Sequence, residues 1–150
     1  MKIKDIMTET PSFVLSNATL QEAAQKMQQL DCGFIPVGDN DKISGILTDR
    51  DIAVRAVAQG LPPSTKVSEI ATKKVLYCFQ DETVDHVAEN MADNQVRRLI
   101  VLSDKKSKRL VGVVSVADIS TCKNANALTS ASLIKGVSLS DKKKASSRAA

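Results

Sequence analysis

A seven-residue pattern that occurs twice constrains this chain more than any other feature of it. Gly45-Ile46-Leu47-Thr48-Asp49-Arg50-Asp51 and Gly112-Val113-Val114-Ser115-Val116-Ala117-Asp118 share a glycine, two branched apolar residues, a hydroxyl and, three residues on, a carboxylate. Each copy reads as the end of a strand running straight into a helix. The glycine weakens a strand but lets another group approach the backbone closely, and free N–H groups at a helix start favour an anion. A corner of this composition suits a sugar and a phosphate.

The two corners belong to a longer repeat. Ile6 is matched by Ile70, Thr8 by Thr72, Thr19 by Thr83, Ala24 by Ala88, Met27 by Met91 and Val37 by Val101, each 64 positions later. After the loop around Asp104-Lys105-Lys106-Ser107-Lys108 the offset becomes 67, as Gly112 stands to Gly45. Three residues have been added in that loop, where an insertion touches no core. An internal repeat of this kind means two copies of one supersecondary unit that bury their faces on each other. Each copy reads strand, helix, strand, strand, helix, which points to α/β (α+β) packing of helices on a sheet.

In chain order, residues 4–10 read as a helical or turn lead-in that Pro11 ends by disfavouring α geometry at Thr10. Phe13-Val14-Leu15 is a short strand. Thr19-Leu20-Gln21-Glu22 is a capping box, and Leu20, Ala23, Ala24, Met27 and Leu30 follow at helical spacing. Asp31-Cys32-Gly33 stops that helix. Phe34-Ile35-Pro36-Val37 is a second strand, whose Pro36 cannot donate to a ladder and so belongs at an edge or a ligand-facing gap. Gly38-Asp39-Asn40-Asp41-Lys42 is a hairpin loop, residues 43–47 form a third strand, and 48–59 a helix carrying Ile52, Val54, Ala56 and Val57. Gly60 closes it with a left-handed cap. Leu61-Pro62-Pro63-Ser64-Thr65 is a stiff connector that holds the boundary between a first domain, 6–62, and a second, 68–124. Residues 125–150 form a C-terminal extension: 124–139 could lengthen the last helix, and 140–150 have the Lys, Ser and Ala composition of a solvated tail.

Composition narrows the class. The chain has 150 residues, enough to bury roughly two-thirds of its unfolded surface, with 43% apolar and 25% charged residues, as in an ordinary soluble protein. No apolar run approaches the roughly 20 residues that cross a bilayer, and no export segment follows Met1. Cys32, Cys78 and Cys122 are an odd number without metal-ligand spacing, so a reducing cytoplasm is expected. The net charge of +4 comes largely from Lys142, Lys143, Lys144 and Arg148, and the body carries no nucleic-acid footprint.

The paired Gly-apolar-apolar-[Ser/Thr]-x-x-Asp corners, each preceded by an apolar element (Ile35-Pro36-Val37 and Leu99-Ile100-Val101), resemble a tandem pair of CBS domains, the modules named after cystathionine beta-synthase. Asp5-Ile6-Met7-Thr8, the Leu-x-x-Ala-Ala-x-x-Met helix and the first corner are similar to short stand-alone bacterial members, and the likeness covers about 6–121. It implies a regulatory module that binds adenosine-containing ligands in clefts between two pseudo-symmetric halves and commonly pairs into a flat homodimer. Ribose would fall to Asp51 and Asp118. Phosphate would fall to Thr48, Arg50, Arg97, Arg98 and Ser115, and the adenine slot to Ile35, Pro36, Val37, Leu99, Ile100 and Val101. The chain departs from the pattern where Ile100 replaces a proline and Ala117 an arginine, so the two sites should not be equivalent.

Each of these residues has an ordinary reading too. Asp51 and Asp118 also suit the first turn of a helix, and Thr48 and Ser115 suit an N-cap. Arg97 and Arg98 also suit a solvated strand edge, and the apolar triplets suit plain core. If the arginines do serve a ligand, their forked guanidinium favours phosphate: AMP, ADP, ATP or NAD rather than S-adenosylmethionine. Met27 and Met91 are core. No catalytic residue is readable: His86 has no nucleophile and orienting acid around it, the cysteines lack partners that lower a thiol's pKa, and there is neither a Walker-type loop nor metal-ligand spacing. Two further possibilities stand beside the nucleotide sensor. One is a ligand-free dimerisation module that presents a surface to an unknown protein partner; the other, a weaker one, is a nucleic-acid contact through the basic tail.

Overall fold

The computed structural model describes residues 1–9, 12–39 and 42–122. In chain order the elements are a 3₁₀ turn at Ile3–Asp5, β1 (Thr8–Glu9), β2 (Val14–Leu15), α1 (Leu20–Gln29), β3 (Phe34–Asp39), β4 (Lys42–Thr48), α2 (Asp49–Asp51), α3 (Val67–Ile70), β5 (Tyr77–Phe79), α4 (Val84–Asn94), β6 (Arg98–Leu102), β7 (Leu110–Ser115) and α5 (Val116–Thr121). The expected turn at Thr10 and Pro11, the hairpin tip Asn40-Asp41 and the readings of 124–139 and 140–150 lie outside the described residues. The chain forms two compact units, Pro11–Val75 and Met1–Thr10 with Leu76–Ala150. Each unit is therefore completed by the opening segment of the other repeat.

In the unit Pro11–Val75 the strand order is β2-β3-β4, parallel then antiparallel. The Thr19–Glu22 capping box starts α1 as the spacing requires. Leu20, Ala23 and Met27 of α1 are buried with Val14, Ile35, Val37 and Leu47, and the core is closed by Val67 and Ile70 of α3. Ala24 and Leu30, expected on the same stripe, are exposed. The helix buries only a narrow face, and at its end Asp31 turns left-handed at φ 49°. Residues 48–59 are not one regular helix: α2 passes into a π-helical turn at Ile52–Ala56 and a 3₁₀ turn at Val57–Gln59. Gly60 then caps with φ 71°. Of the four apolar residues there, Ala56 is buried and Ile52 half-buried, while Val54 and Val57 face solvent.

Of the two positions expected for Pro36, an edge or a ligand-facing gap, the edge is excluded, because β3 is the central strand. The reason is one of hydrogen-bond phase. Opposite Pro36 stands Ile46, whose N–H and C=O are both spent on Thr72, each at 2.9 Å. In an antiparallel pair hydrogen-bonded and non-hydrogen-bonded positions alternate, so Pro36 occupies a position that owes β4 no bond. On its other side β2 pairs only Val37 and Gly38. In the second repeat Ile100 restores the donor, and its N–H reaches the Leu76 carbonyl at 3.4 Å. There β5 pairs three residues, Tyr77 with Ile100 being the added one.

In the other unit the order is β1-β7-β6-β5. Val84, Val87, Ala88 and Met91 of α4 are buried with Cys78, Leu99, Val101, Val114 and Ile119, and Ile3 of the lead-in completes that core with no exposed surface. The lead-in is held along its length. Ile3 and Lys4 donate to the carbonyls of Glu82 and Gln80 at 3.0 Å, and Thr8 and Glu9 pair with Val113 and Gly112. Lys4 and Lys2 approach Asp81 Oδ1 at 2.9 and 3.3 Å. The hydrogen bond from Lys4 lowers the Asp81 carboxyl below its ordinary pKa, and Lys2 adds to this.

The motif glycines have their reason here. A Cβ on Gly112 would lie 2.6 Å from the Thr8 carbonyl oxygen, and one on Gly45 would lie 3.0 Å from that of Thr72. The group whose close approach the glycine permits is the chain's own lead-in backbone. Gly112→Ala should therefore lower stability by about 1–3 kcal/mol through overpacking, and Gly45→Ala by less. Denaturant titration of the two variants against the parent measures both. Ile3→Ala, which empties a core position at least 75 residues in sequence from the other buried members of that core, should cost about 2–5 kcal/mol in the same assay.

Candidate functional site

Each unit ends its antiparallel hairpin in a strand-to-helix corner, and local hydrogen bonds shape both corners alike. Thr48 Oγ1 accepts from the Asp51 N–H at 3.0 Å while the Thr48 N–H donates to Asp51 Oδ2 at 3.0 Å. Ser115 Oγ accepts from the Asp118 N–H at 3.2 Å, and the Ser115 N–H and hydroxyl both donate to Asp118 Oδ2 at 2.7 Å. These are capping boxes, so the ordinary reading of all four residues holds. The neighbouring carbonyls correspond as well: Gly33 accepts from the Asp49 N–H and Arg97 from the Val116 N–H, both at 3.0 Å.

Register decides what stands beside each hydroxyl. Arg98 pairs with Ser115, whereas Phe34 pairs with Thr48. One corner thus gathers Arg97, Arg98, Ser115 and Asp118, with both arginines exposed. The other gathers Phe34, Thr48 and Asp51, with an exposed Arg50 just before Asp51 whose N–H donates to Asp49 Oδ1 at 2.7 Å. The apolar triplets behave mainly as core: Ile35, Val37, Leu99 and Val101 are buried in the two hydrophobic clusters. Pro36 and Ile100, on the alternate face of their strands, are buried outside those clusters.

Arg55 is a residue the sequence reading passed over. Its Nη1 donates to the Ile70 carbonyl at 2.9 Å and to Thr72 Oγ1 at 3.0 Å. Its Nε lies 3.6 Å from Asp51 Oδ1. The i,i+4 spacing of Asp51 and Arg55 on a helix was the available signal.

Nothing at either corner assembles a nucleophile. His86 Nε2 faces Glu82 Oε2 at 3.4 Å on the exposed side of α4. Burial pushes the Cys78 thiol up to about 12, with the Glu82 charge adding to it, so it stays protonated and inert. Among the described residues no group of three or more His, Cys, Asp or Glu could hold a metal ion. No helix there is long and apolar enough to cross a membrane.

With this geometry in hand, comparison with known proteins is decisive. The family model described as CBS domain matches residues 3–57 and again 67–122. The chain belongs to the CBS domain family. The CBS domain-containing protein YhcV of Bacillus subtilis is 36% identical over 124 residues, covering 83% of this chain and 86% of that protein. Among solved structures, the CBS domain pair of protein MJ0100, in complex with 5′-methylthioadenosine and S-adenosyl-L-methionine, superposes with a TM-score of 0.70 at 35% identity. It covers 80% of this chain and 93% of its own. The CBS domain protein PAE2072 from Pyrobaculum aerophilum, complexed with AMP, gives 0.74 at 25% identity over 87% of this chain and 98% of its own. The tandem CBS pair and the mixed α and β architecture inferred from the repeat are those of this family.

Two outcomes follow from the chemistry of these units. Ser115→Ala removes the hydroxyl cap and should cost about 1 kcal/mol, seen as a lower melting temperature with unchanged far-ultraviolet dichroism. For Cys78 the native thiol keeps its proton up to about 12, whereas the unfolded thiol loses it near 8.5. The unfolded state then binds fewer protons, so between these values this residue makes stability fall as pH rises, by up to about 1.4 kcal/mol per unit. Cys78→Ala should show a shallower loss of stability than the parent between pH 9 and 11.

Proposed function

We propose that this CBS pair is a regulatory module that binds an adenine nucleotide without transforming it. In this reading Asp51 and Asp118 accept the two vicinal hydroxyls of a ribose through carboxylate oxygens, by charge-assisted bonds. Thr48 and Ser115 supply a hydroxyl beside them. Arg97 and Arg98 favour a ligand that carries phosphate, AMP, ADP, ATP or NAD, at the Ser115–Asp118 corner, and Arg50 contributes a further cation at the other. Pro36 and Ile100, among the six residues of the two apolar triplets, are the best placed to meet an adenine ring. The observation that carries the reading is the repetition: the same hydroxyl–carboxylate corner is built twice, in a chain whose structural neighbours include CBS pairs crystallised with AMP and with adenosyl compounds. The module would act as a cytoplasmic homodimer on a protein partner, and the ligand would shift its shape only through unequal affinity for two states.

A second reading is favoured by one fact, that Oδ2 of both carboxylates is already engaged in capping. Under it the corners are architecture alone and the module serves dimerisation or a protein contact. A thermal-shift panel of AMP, ADP, ATP, NAD, S-adenosylmethionine and GTP separates the two. The sensor should gain several degrees with an adenosine phosphate, since binding to the native state stabilises by mass action. GTP should give no gain, and Asp51→Ala and Asp118→Ala should each abolish the response of one site. No shift with any compound at millimolar concentration, supported by calorimetry, would leave the interaction module as the account.

A further inference from the structure

The hairpin tips of the two repeats carry opposite charge. In the first, Gly38-Asp39-Asn40-Asp41-Lys42 has two carboxylates and one cation, whereas in the longer second tip Lys105, Lys106, Lys108 and Arg109 stand against the single carboxylate of Asp104. All four cations are exposed, and none of them forms an ion pair among the described residues. Asp104 does not pair with them, because it accepts the Lys106 and Ser107 N–H groups at 2.8 Å together with the Ser107 hydroxyl. The turn beside the hairpin base, where the Gln80 N–H donates to the Leu102 carbonyl at 2.9 Å, offers no relief either. Its Asp81 is held by Lys2 and Lys4.

We infer that the tip of the second hairpin is a docking surface for an acidic segment of a protein partner. The inference rests on the reading above only in that the module acts on a protein, and it draws nothing from nucleotide binding. The tip is fixed in shape, which lowers the cost of ordering it on binding. The Ser103 N–H donates to the Arg109 carbonyl at 2.9 Å and the Lys108 N–H to that of Asp104 at 3.0 Å. The Ser103 and Ser107 hydroxyls meet at 2.8 Å, and Lys108 holds a left-handed φ of 48°. A merely solvated connection needs no such scaffold, and the first repeat closes its own antiparallel hairpin without the cations. Carboxylates suit the tip better than other polyanions do. From Ser103 to Arg109 there is no aromatic side chain for a base to stack on and no apolar one to enter a membrane, while the Arg109 fork matches a carboxylate. The surface also stands apart from the Ser115–Asp118 corner. β6 runs from Arg98, paired with Ser115, to Leu102, paired with Leu110, which separates the two by roughly 13 Å at about 3.3 Å per residue.

Fluorescence anisotropy of a labelled oligoglutamate peptide, titrated with the full chain at low salt, tests this. The parent should bind it, and Lys105→Gln, Lys106→Gln and Lys108→Gln together should weaken binding roughly tenfold at an unchanged melting temperature. Arginine at the same three positions should retain binding, which separates loss of charge from loss of fold. Removing as many charges from the tail, by Lys142→Gln, Lys143→Gln and Lys144→Gln, should change the affinity less than about twofold. An equal loss in the tail variant, or no binding by the parent, overturns the inference. So does tighter binding of oligothymidylate or of phosphatidylserine vesicles through the same three lysines, which assigns the tip to a nucleic acid or a membrane instead. The thermal-shift response to adenosine phosphates should be the same in the parent and the loop variant. Its absence from both would end the nucleotide reading and leave this one standing.

Discussion

The reciprocal pairing of each repeat's opening segment with the other repeat's hairpin is the constraint on which the rest of this molecule depends. Thr72 exchanges two hydrogen bonds with Ile46, and Thr8 stands in register with Val113, which is the Ile46 of the second repeat. Ile3 and Val67 plug the two cores at equivalent positions with no exposed surface. A chain read simply as two consecutive domains would leave both plugs and both edge pairings unexplained. Reading each lead-in as a component of the opposite unit accounts for the motif glycines and for the tolerance of Pro36 in a central strand.

The corners inherit their shape from that pairing. Once Gly45 and Gly112 are pressed against a carbonyl, the strands β4 and β7 run on into Thr48 and Ser115. The capping boxes then fix both carboxylates within hydrogen-bond distance of their own backbone. Oδ2 is committed to this local work, and Oδ1 of Asp51 faces Arg55. Symmetry in the backbone thus coexists with asymmetry in chemistry: Phe34 against Arg98, Arg55 against Cys122, Pro36 against Ile100. A tandem module built this way presents two unlike corners on one repeated frame.

Much of this was legible in the residues, because period and caps are local. The Thr19 box and the left-handed Gly60 depend on neighbours a few positions apart, and the 64-residue offset and the loop insertion near Asp104 appear when the sequence is laid against itself. In that loop Asp104 accepts from the N–H groups of Lys106 and Ser107 at 2.8 Å. The Ser107 hydroxyl contributes most to holding its carboxyl down to about 2. What was not legible depends on distant partners. That Thr72 would consume both polar groups of Ile46, and so free Pro36 from any obligation to β4, cannot be read from a strand pattern. Nor can the exposure of Val54 and Val57, since their helix changes to π and 3₁₀ geometry after Asp51. Arg55 could have been found by its spacing from Asp51, although its hold on Ile70 and Thr72 could not.

The exchange of lead-in segments is tested most directly by native-state hydrogen exchange at the Thr72 amide, in a stretch that a reading as two consecutive domains assigns to the second of them. If Thr72 donates to Ile46 as a working member of the β4 edge, it should exchange as slowly as the Ile46 amide, both opening with the same free energy. Exchange of Thr72 at the rate of an unprotected loop, while Ile46 remained protected, would contradict the account.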